Sequence, residues 1–456
     1  NRAIPELSTP VDCWFLDGHA PAKNPDMWSE TVFKNIGRLS HQGTRFATFT
    51  AAGFVRRALQ NVGFTVSKTR GFGRKRDMTI GVYEGENATV FPSVPPSVAS
   101  PKNIAVIGGG IAGASLCHAL TSRGCAVTLF EKNGLASGGS GNFRGLSNPR
   151  ITALRGPEAE FYAAGFALAQ RMFQKISRTE NIGYDPCGTL HLITDDTKHK
   201  RFASCCTTWG WHPDHARLVS ADDASTLAGV PLTYPALYLA DAAMVSPKLV
   251  TQFLAQPARL VPEDIEVITR TESGWSVNGN IYDAVVLAGG VDVTKFAQTA
   301  HLPLQKIRGQ VTLVRPNELH SRLKTNLCYG GYCARVADDI AVIGSTFQHW
   351  ITDDSLRTDD DTDNVQKLSA VVPDMAVGAD IIGARASFRC AARDRIPVIG
   401  ELAGYKGLYI STAHGSHGIV SSVIAAEYLT ADICGEPQIL PKSLEAFLSP
   451  NRFVRA

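Results

Sequence analysis

An apolar run from Ile104 to Ile107 leads into Gly108-x-Gly110-x-x-Gly113, a helical pattern follows, and a second apolar run ends at Glu131. Strand, glycine-rich turn, helix, strand and acid in that order dictate a βαβ unit built around a dinucleotide. Gly108 permits the tight turn, Gly110 lets the backbone approach a pyrophosphate, and Gly113 lets helix and strand pack closely. The helix N-terminus offers unpaired N–H groups and a positive dipole end to the phosphates. Glu131, 18 residues past Gly113, is placed to accept hydrogen bonds from a ribose.

The turn alone does not separate FAD from NAD; later segments do. Gly138 to Gly145, with Ser140, Gly141 and Asn142, forms a second small-residue loop suited to running along a long cofactor. Val285 to Gly290 reads as a buried strand ending in glycine at Gly289. His414 to Ile419, with Gly415, His417, Gly418 and Ile419, precedes a helical stretch from Val420 to Ile433. Contacts spread over so much chain suit a flavin buried along its length, whereas a nicotinamide cofactor needs one compact domain. The expected cofactor is FAD.

The 456 residues suffice for two to four domains and an ample core. A net charge of +3 neither demands nor excludes a polyanionic partner. No apolar run reaches the length of a membrane span, and the first residues lack the basic-then-apolar order of a signal peptide, so the expected compartment is the cytoplasm, with no membrane partner. Ten cysteines without a CxxC pair read as reduced thiols. Cys205, Cys206, His212 and His215 have zinc-ligand chemistry, but adjacent cysteines are poorly arranged for a closed tetrahedral site, so no metal is expected. The acidic run Asp353 to Asp363 reads as a solvated helix start or loop.

Residues 86–102 carry Pro92, Pro95, Pro96 and Pro101 with little periodicity, which reads as a semi-rigid linker. The expected domains are 1–85, the linker, and 103–456. Within the last, 103–160, 240–300 and 385–440 are expected to bind FAD, and 180–235 with 300–384 to form a substrate subdomain. The first 85 residues read as strand (Val11 to Leu16), structured loop, helix, strand (Arg45 to Thr50), helix (Ala51 to Val62) and a hairpin (Phe64 to Lys68 with Met78 to Tyr83). That is the second half of a doubly wound sheet, with Asp17 at a strand's carboxyl end, where such sheets form sites. The chain opens mid-pattern without Met, so a truncated domain is expected. A half-domain cannot bury both faces of its sheet. The fold class is therefore α/β: a partial doubly wound methyltransferase-like sheet, then a FAD-binding Rossmann-type domain with a mixed α+β substrate subdomain.

Phe15 to Trp28 (FLDGHAPAKNPDMW) and Gly71 to Met78 (GFGRKRDM) closely resemble the methyltransferase half of the bifunctional tRNA 5-methylaminomethyl-2-thiouridine biosynthesis family. The resemblance continues through Gly139 to Asn142, Cys328-Tyr329-x-Gly331-Tyr332, Arg389 to Asp394 and Gly415-Ser416, and covers nearly the whole chain. It implies two steps on a wobble uridine. An FAD-dependent domain removes the carboxymethyl group of 5-carboxymethylaminomethyl-2-thiouridine as glyoxylate, and an S-adenosylmethionine-dependent domain methylates the resulting amine. It implies a tRNA partner bound at its anticodon loop; a monomer is expected. The chain departs from the family pattern in three places: the adenosylmethionine-binding glycine-rich turn is missing, which puts methyl transfer by this chain in doubt; His417 stands where arginine is usual; and the region from Gln256 to Asp264 is short.

The substrate arm is a CH2–carboxylate on an amine, and a planar guanidinium is the best bidentate clamp for a carboxylate. Glycine oxidase and its superfamily, which the second half resembles, place an arginine in x-Arg-x-x-x-x-Asp-x-x-Pro-x-x-Gly; Arg389 matches, with Asp394, Pro397 and Gly400 in register. Arg385 and Arg393 are competitors. Tyr329 and Tyr332 are candidates for the same pocket, with core packing as the alternative. For Asp17 the resemblance implies positioning or deprotonating the target amine; the other reading is a strand-end aspartate capping its loop. Residues 56–77 hold seven bases against the single acid Asp77, and Arg70, Arg74, Lys75 and Arg76 are candidate RNA contacts. Two other functions fit part of the pattern: a free glycine- or sarcosine-type amine oxidase, and a non-catalytic RNA-binding fragment.

Overall fold

The computed structural model describes residues 4–7, 9–73, 76–86 and 102–454, so most of the expected linker, and Arg74 and Lys75, lie outside the described residues. The chain divides into two compact units: Asn1–Ser100 with Gly435–Ser443, and Pro101–Cys434 with Leu444–Ala456. The 435–443 segment groups with the first unit.

The first unit runs β1 (Val11–Phe15), α1 (Glu30–Leu39), β2 (Ser40–Thr48), α2 (Gly53–Asn61), β3 (Phe64–Arg70) and β4 (Asp77–Tyr83). Its sheet has the order β1-β2-β4-β3, with β1 and β2 parallel and the other pairs antiparallel. Helix α1 presents Val32, Phe33, Ile36 and Leu39 inward at helical spacing, while Lys34, Asn35 and Arg38 lie on its other side. These residues, with Trp28, Val55 and Leu59, pack on Phe46, Phe64 and Tyr83 of the sheet. The opposite face stays open, with Phe15 82% exposed and Ile80 and Val82 also exposed. Asp17 follows β1 and is exposed. The loop after it is ordered, because the Trp28 indole donates to the backbone oxygens of Gly18 and His19.

The second unit holds two large sheets. The six-stranded one is ordered Arg259–Val261, β6 (Ala126–Phe130), β5 (Asn103–Ile107), Ala284–Leu287, Leu408–Thr412, Val398–Glu401, all parallel but the last. Each of β5 and β6 is buried over four consecutive residues, as strands covered on both faces must be. Helix α3 (Ile111–Ser122) is apolar almost all round and packs on the equally buried helix Gly418–Cys434. The eight-stranded mixed sheet draws on Thr189–Leu192, Ala216–Val219 and Ala236–Leu239, and then on segments between Leu304 and Ala392. Its longest strands, Leu304–Val314 and Ile381–Ala392, pair antiparallel along their length. The strand carrying Arg385 and Arg389 belongs to this sheet.

The acidic run departs from its expected solvation. Asp360 and Asp361, in the first turn of helix Thr358–Ser369, are 3% and 8% exposed. The fully buried Arg308 pairs with Asp360, and Gln310 and Thr312 donate to Asp361 at 2.8 and 2.6 Å. Sequence spacing gave no sign of the buried cation 52 residues upstream. The cysteine–histidine group is also dispersed in role: burial pushes the Cys205 thiol up to about 11, and His215 bonds Asp241 at 2.5 Å. Among the described residues no helix is long and apolar enough to cross a membrane.

Candidate active site

A cavity of about 740 Å3 runs through the second unit from the glycine-rich turn to the eight-stranded sheet, within the usual size of cofactor and substrate pockets. At one end Gly108 leaves β5 with φ +116°, and a Cβ there would lie 2.6 Å from the Gly289 nitrogen. A Cβ on Gly113 would lie 1.9 Å from the Gly108 oxygen, so helix and turn meet only because both are glycine. Glu131, at the end of β6, accepts from the N–H groups of Gly109 at 2.6 Å and Asn133 at 2.8 Å. The Ser140 hydroxyl accepts the first N–H of α3, from Ile111, at 2.9 Å. The 137–142 loop thus lies against the helix N-terminus that phosphates favour.

Arg385 holds that loop: its guanidinium donates to Asn142 Oδ1 at 2.9 Å and to the backbone oxygens of Ser137 and Gly138. Gly141 does not line the cavity; a Cβ there would strike Arg385 and the Ala136 oxygen, so this glycine makes room for the clamp. Gly108, Gly110, Glu131, Ser140, Asn142, Gly289, Gly415, Gly418 and Ile419 do line it. His417 does not. Its ring lies tilted against Tyr162, centroids 5.1 Å apart, and burial pushes its imidazole down to about 4. His414, which sequence reasoning passed over, faces the cavity and is likewise held neutral, between Ser411 and Ser421 hydroxyls.

At the other end stands Arg389. Its guanidinium donates to the Thr346 oxygen at 3.3 Å and to the Ser345 hydroxyl, and lies 4.1 Å from the Phe347 ring centroid. Among the described residues no carboxylate pairs with it, and burial pushes it down to about 10. A desolvated cation without an anion is costly unless a ligand supplies one. Gly309 on the neighbouring strand makes the space: a Cβ there would sit 2.0 Å from Nη1. Tyr332 lines the cavity, and burial raises its phenol well above its usual value, so it stays neutral; its hydroxyl donates to the Arg144 oxygen at 3.3 Å. Tyr329 is packed in the core behind, with its hydroxyl on the Tyr332 oxygen. Arg393 is exposed and off the cavity wall. Gly309, Ser345 and Phe347 carried no recognisable motif; the only hint was a glycine between Arg308 and Gln310 within a strand-like run.

The glycine cradle, the acid at the end of β6 and the long cavity all fit a flavin dinucleotide. Gly108 to Gly110 with the α3 N-terminus would hold its phosphates, Glu131 its ribose, and the far half of the cavity its ring system. The first unit is built differently. Among its described residues neither strand-to-helix turn has the G-x-G-x-x-G spacing, and Asp17 is exposed. These residues do not by themselves build a nucleotide site.

Residues 103–432 match the profile of the FAD dependent oxidoreductase family, and residues 1–84 that of an S-adenosyl-L-methionine-dependent methyltransferase family. The tRNA 5-methylaminomethyl-2-thiouridine biosynthesis bifunctional protein MnmC of Methylobacillus flagellatus is 33% identical over 99% of this chain and 73% of its own length. The protein of the same name from Pseudomonas aeruginosa is 33% identical over 99% and 75%. Among solved structures, glycine oxidase from Geobacillus kaustophilus superposes with a TM-score of 0.69 at 21% identity, covering 77% of this chain and 99% of its own. Iminodiacetate oxidase from Chelativorans gives 0.65 at 20% identity, over 76% and 98%. These two share the fold. By sequence, the chain belongs to the bifunctional tRNA 5-methylaminomethyl-2-thiouridine biosynthesis family, joining methyltransferase sequence to an FAD-dependent oxidoreductase unit.

Proposed function

We propose that this protein modifies the wobble uridine of tRNA, and that its second unit removes the carboxymethyl group from 5-carboxymethylaminomethyl-2-thiouridine. The observation that supports this most is Arg389: a partly buried guanidinium that pairs with no carboxylate among the described residues, on the wall of a flavin-sized cavity. A glycine-like arm carries the one group this position lacks. FAD, when bound, supplies the hydride acceptor for the CH2 of that arm. Arg389 binds the arm's carboxylate through its fork and so fixes the CH2 in reach. Ser345 and the Thr346 oxygen hold the guanidinium plane, and Phe347 covers its face. Tyr332, kept neutral by burial, places no competing anion beside the arm. Water then cleaves the carbon–nitrogen double bond left in the substrate, giving glyoxylate and a primary amine.

The family's second activity, methylation of that amine, goes with residues 1–84, where Asp17 is the candidate for the amine. Among the described residues there, no strand-to-helix turn has the G-x-G-x-x-G spacing that would cradle the methyl donor. Arg70 and Arg76, both exposed, are candidate phosphate contacts. Mass analysis of tRNA bearing the carboxymethylaminomethyl group, before and after incubation with flavin-loaded protein, tests the oxidative step. Loss of the carboxymethyl mass with glyoxylate release is expected; unchanged tRNA would refute it, and faster turnover of free glycine or sarcosine would favour a free amine oxidase.

A further inference from the structure

The cavity's mouth carries aromatic rings that reach beyond the carboxylate clamp. Phe347 is 50% exposed although it lines the cavity, and Trp350, three residues on, is 75% exposed. Asp354 also lines the cavity, so the 347–354 loop forms part of its rim.

This loop is anchored from beneath. Gln348 and Arg308 exchange backbone hydrogen bonds at 2.9 Å, and the Gln348 side chain bonds Arg308 at 2.7 Å and Asp360 at 2.6 Å. Farther along, Arg308 donates to the Ser355 oxygen, and Gln310 bonds the Arg357 backbone through both its amide atoms. Arg308 and Gln310 are fully buried. A buried polar network of this kind fixes a single geometry. The short span between Gln348 and Ser355 is thus held at both ends while its indole faces water. Nearby, Lys306 lies 5.4 Å from the Phe388 ring, and both line the same cavity, adding a cation beside a second ring.

Exposed aromatic faces beside cations are what single-stranded RNA needs, because every base has a π-face and every nucleotide a phosphate. We infer that the 347–350 loop is a stacking platform for bases of the tRNA anticodon loop, with Phe347 under the reacting uridine and Trp350 under a neighbouring base. This rests on the proposed tRNA function and extends it: the platform makes the site select a splayed nucleotide over a free amine.

Flavin-loaded wild type, Trp350→Ala and Trp350→Phe would be compared for demodification kinetics and for binding of an anticodon stem-loop RNA by fluorescence anisotropy. Trp350→Ala is expected to raise KM and the RNA Kd about tenfold, within the range of one stacked base, with kcat and flavin absorbance unchanged. Trp350→Phe, keeping a ring, is expected to restore most of the loss; Phe347→Leu adds a second perturbation without charge change. An Ala variant with KM and Kd within twofold of wild type overturns the platform, as does a Phe variant no better than Ala. Failure of the underlying function shows elsewhere, as no turnover of tRNA by wild type, and overturns the platform as well.

Discussion

Gly309→Ala isolates the carboxylate clamp without touching the clamp's own atoms. The new Cβ would lie 2.0 Å from Arg389 Nη1 and 2.7 Å from Cζ and Nη2. Non-bonded heavy atoms need roughly 3.5 Å, so the guanidinium must retreat by about 1.5 Å, and being the far end of a flexible side chain it can do so without unfolding the strand. The retreat breaks its bonds to Ser345 and Thr346 and takes it off Phe347. Misplacing an orienting group by about 1 Å costs on the order of 100-fold, and losing a charged hydrogen bond costs about 1.5–3 kcal/mol, or 10- to 150-fold. The expected result is a loss of kcat/KM of that order on modified tRNA, measured as glyoxylate release, with flavin absorbance unchanged. Combining it with Arg389→Ala should add little, since both remove one interaction. A Gly309→Ala protein with kcat/KM within twofold of wild type, or a double variant losing the two effects in full, would refute the reasoning.

Arg389→Lys keeps the charge but not the fork, and is expected to raise KM at least about tenfold with the flavin spectrum intact; loss of the flavin instead would give Arg389 a structural role. Arg308→Leu leaves Asp360 buried without its cation, so a destabilisation of about 3–5 kcal/mol is expected in denaturant unfolding, and a change under 1 kcal/mol would contradict it. His191, His320, His414 and His417 are all pushed down to about 4 by burial. The unfolded chain therefore binds more protons between about pH 4 and 6.5. Stability is full above that window and falls as pH drops through it; a melting temperature flat from pH 7 to 5 would argue against neutral buried imidazoles. Arg70→Gln with Arg76→Gln is expected to weaken tRNA binding and lower the slope of log Kd against log salt by about two; an unchanged slope would remove both from the interface.

Most of the cofactor half of the site was legible because it is local. Turn, helix and strand follow within 28 residues, and the glycines mark where backbone must approach backbone. In the substrate half, the sequence pointed to Arg389, through the spacing to Asp394, Pro397 and Gly400, and to Tyr332, which also lines the cavity. Gly309 and Ser345 meet Arg389 across strands 36 or more residues apart, and nothing in the local pattern links them. Gly141 and His417 sit in segments that do touch the cavity, but composition could not say which side chains face it. Arg385 and Arg389 lie four residues apart on one strand, and only their partners in the fold tell the loop clamp from the arginine beside Ser345 and Phe347.

By itself the sequence determined the α/β class and the strand–turn–helix–strand unit ending in Glu131, because both depend on periodicity and turn chemistry over short stretches. Tertiary structure decided which arginine clamps the 137–142 loop and which one stands against Ser345, Thr346 and Phe347, why Asp360 and Asp361 are buried, and where Phe347 and Trp350 stand relative to the cavity. Those depend on pairing between the Leu304–Val314 and Ile381–Ala392 strands and on one buried guanidinium. Long-range register and desolvation have no local signature.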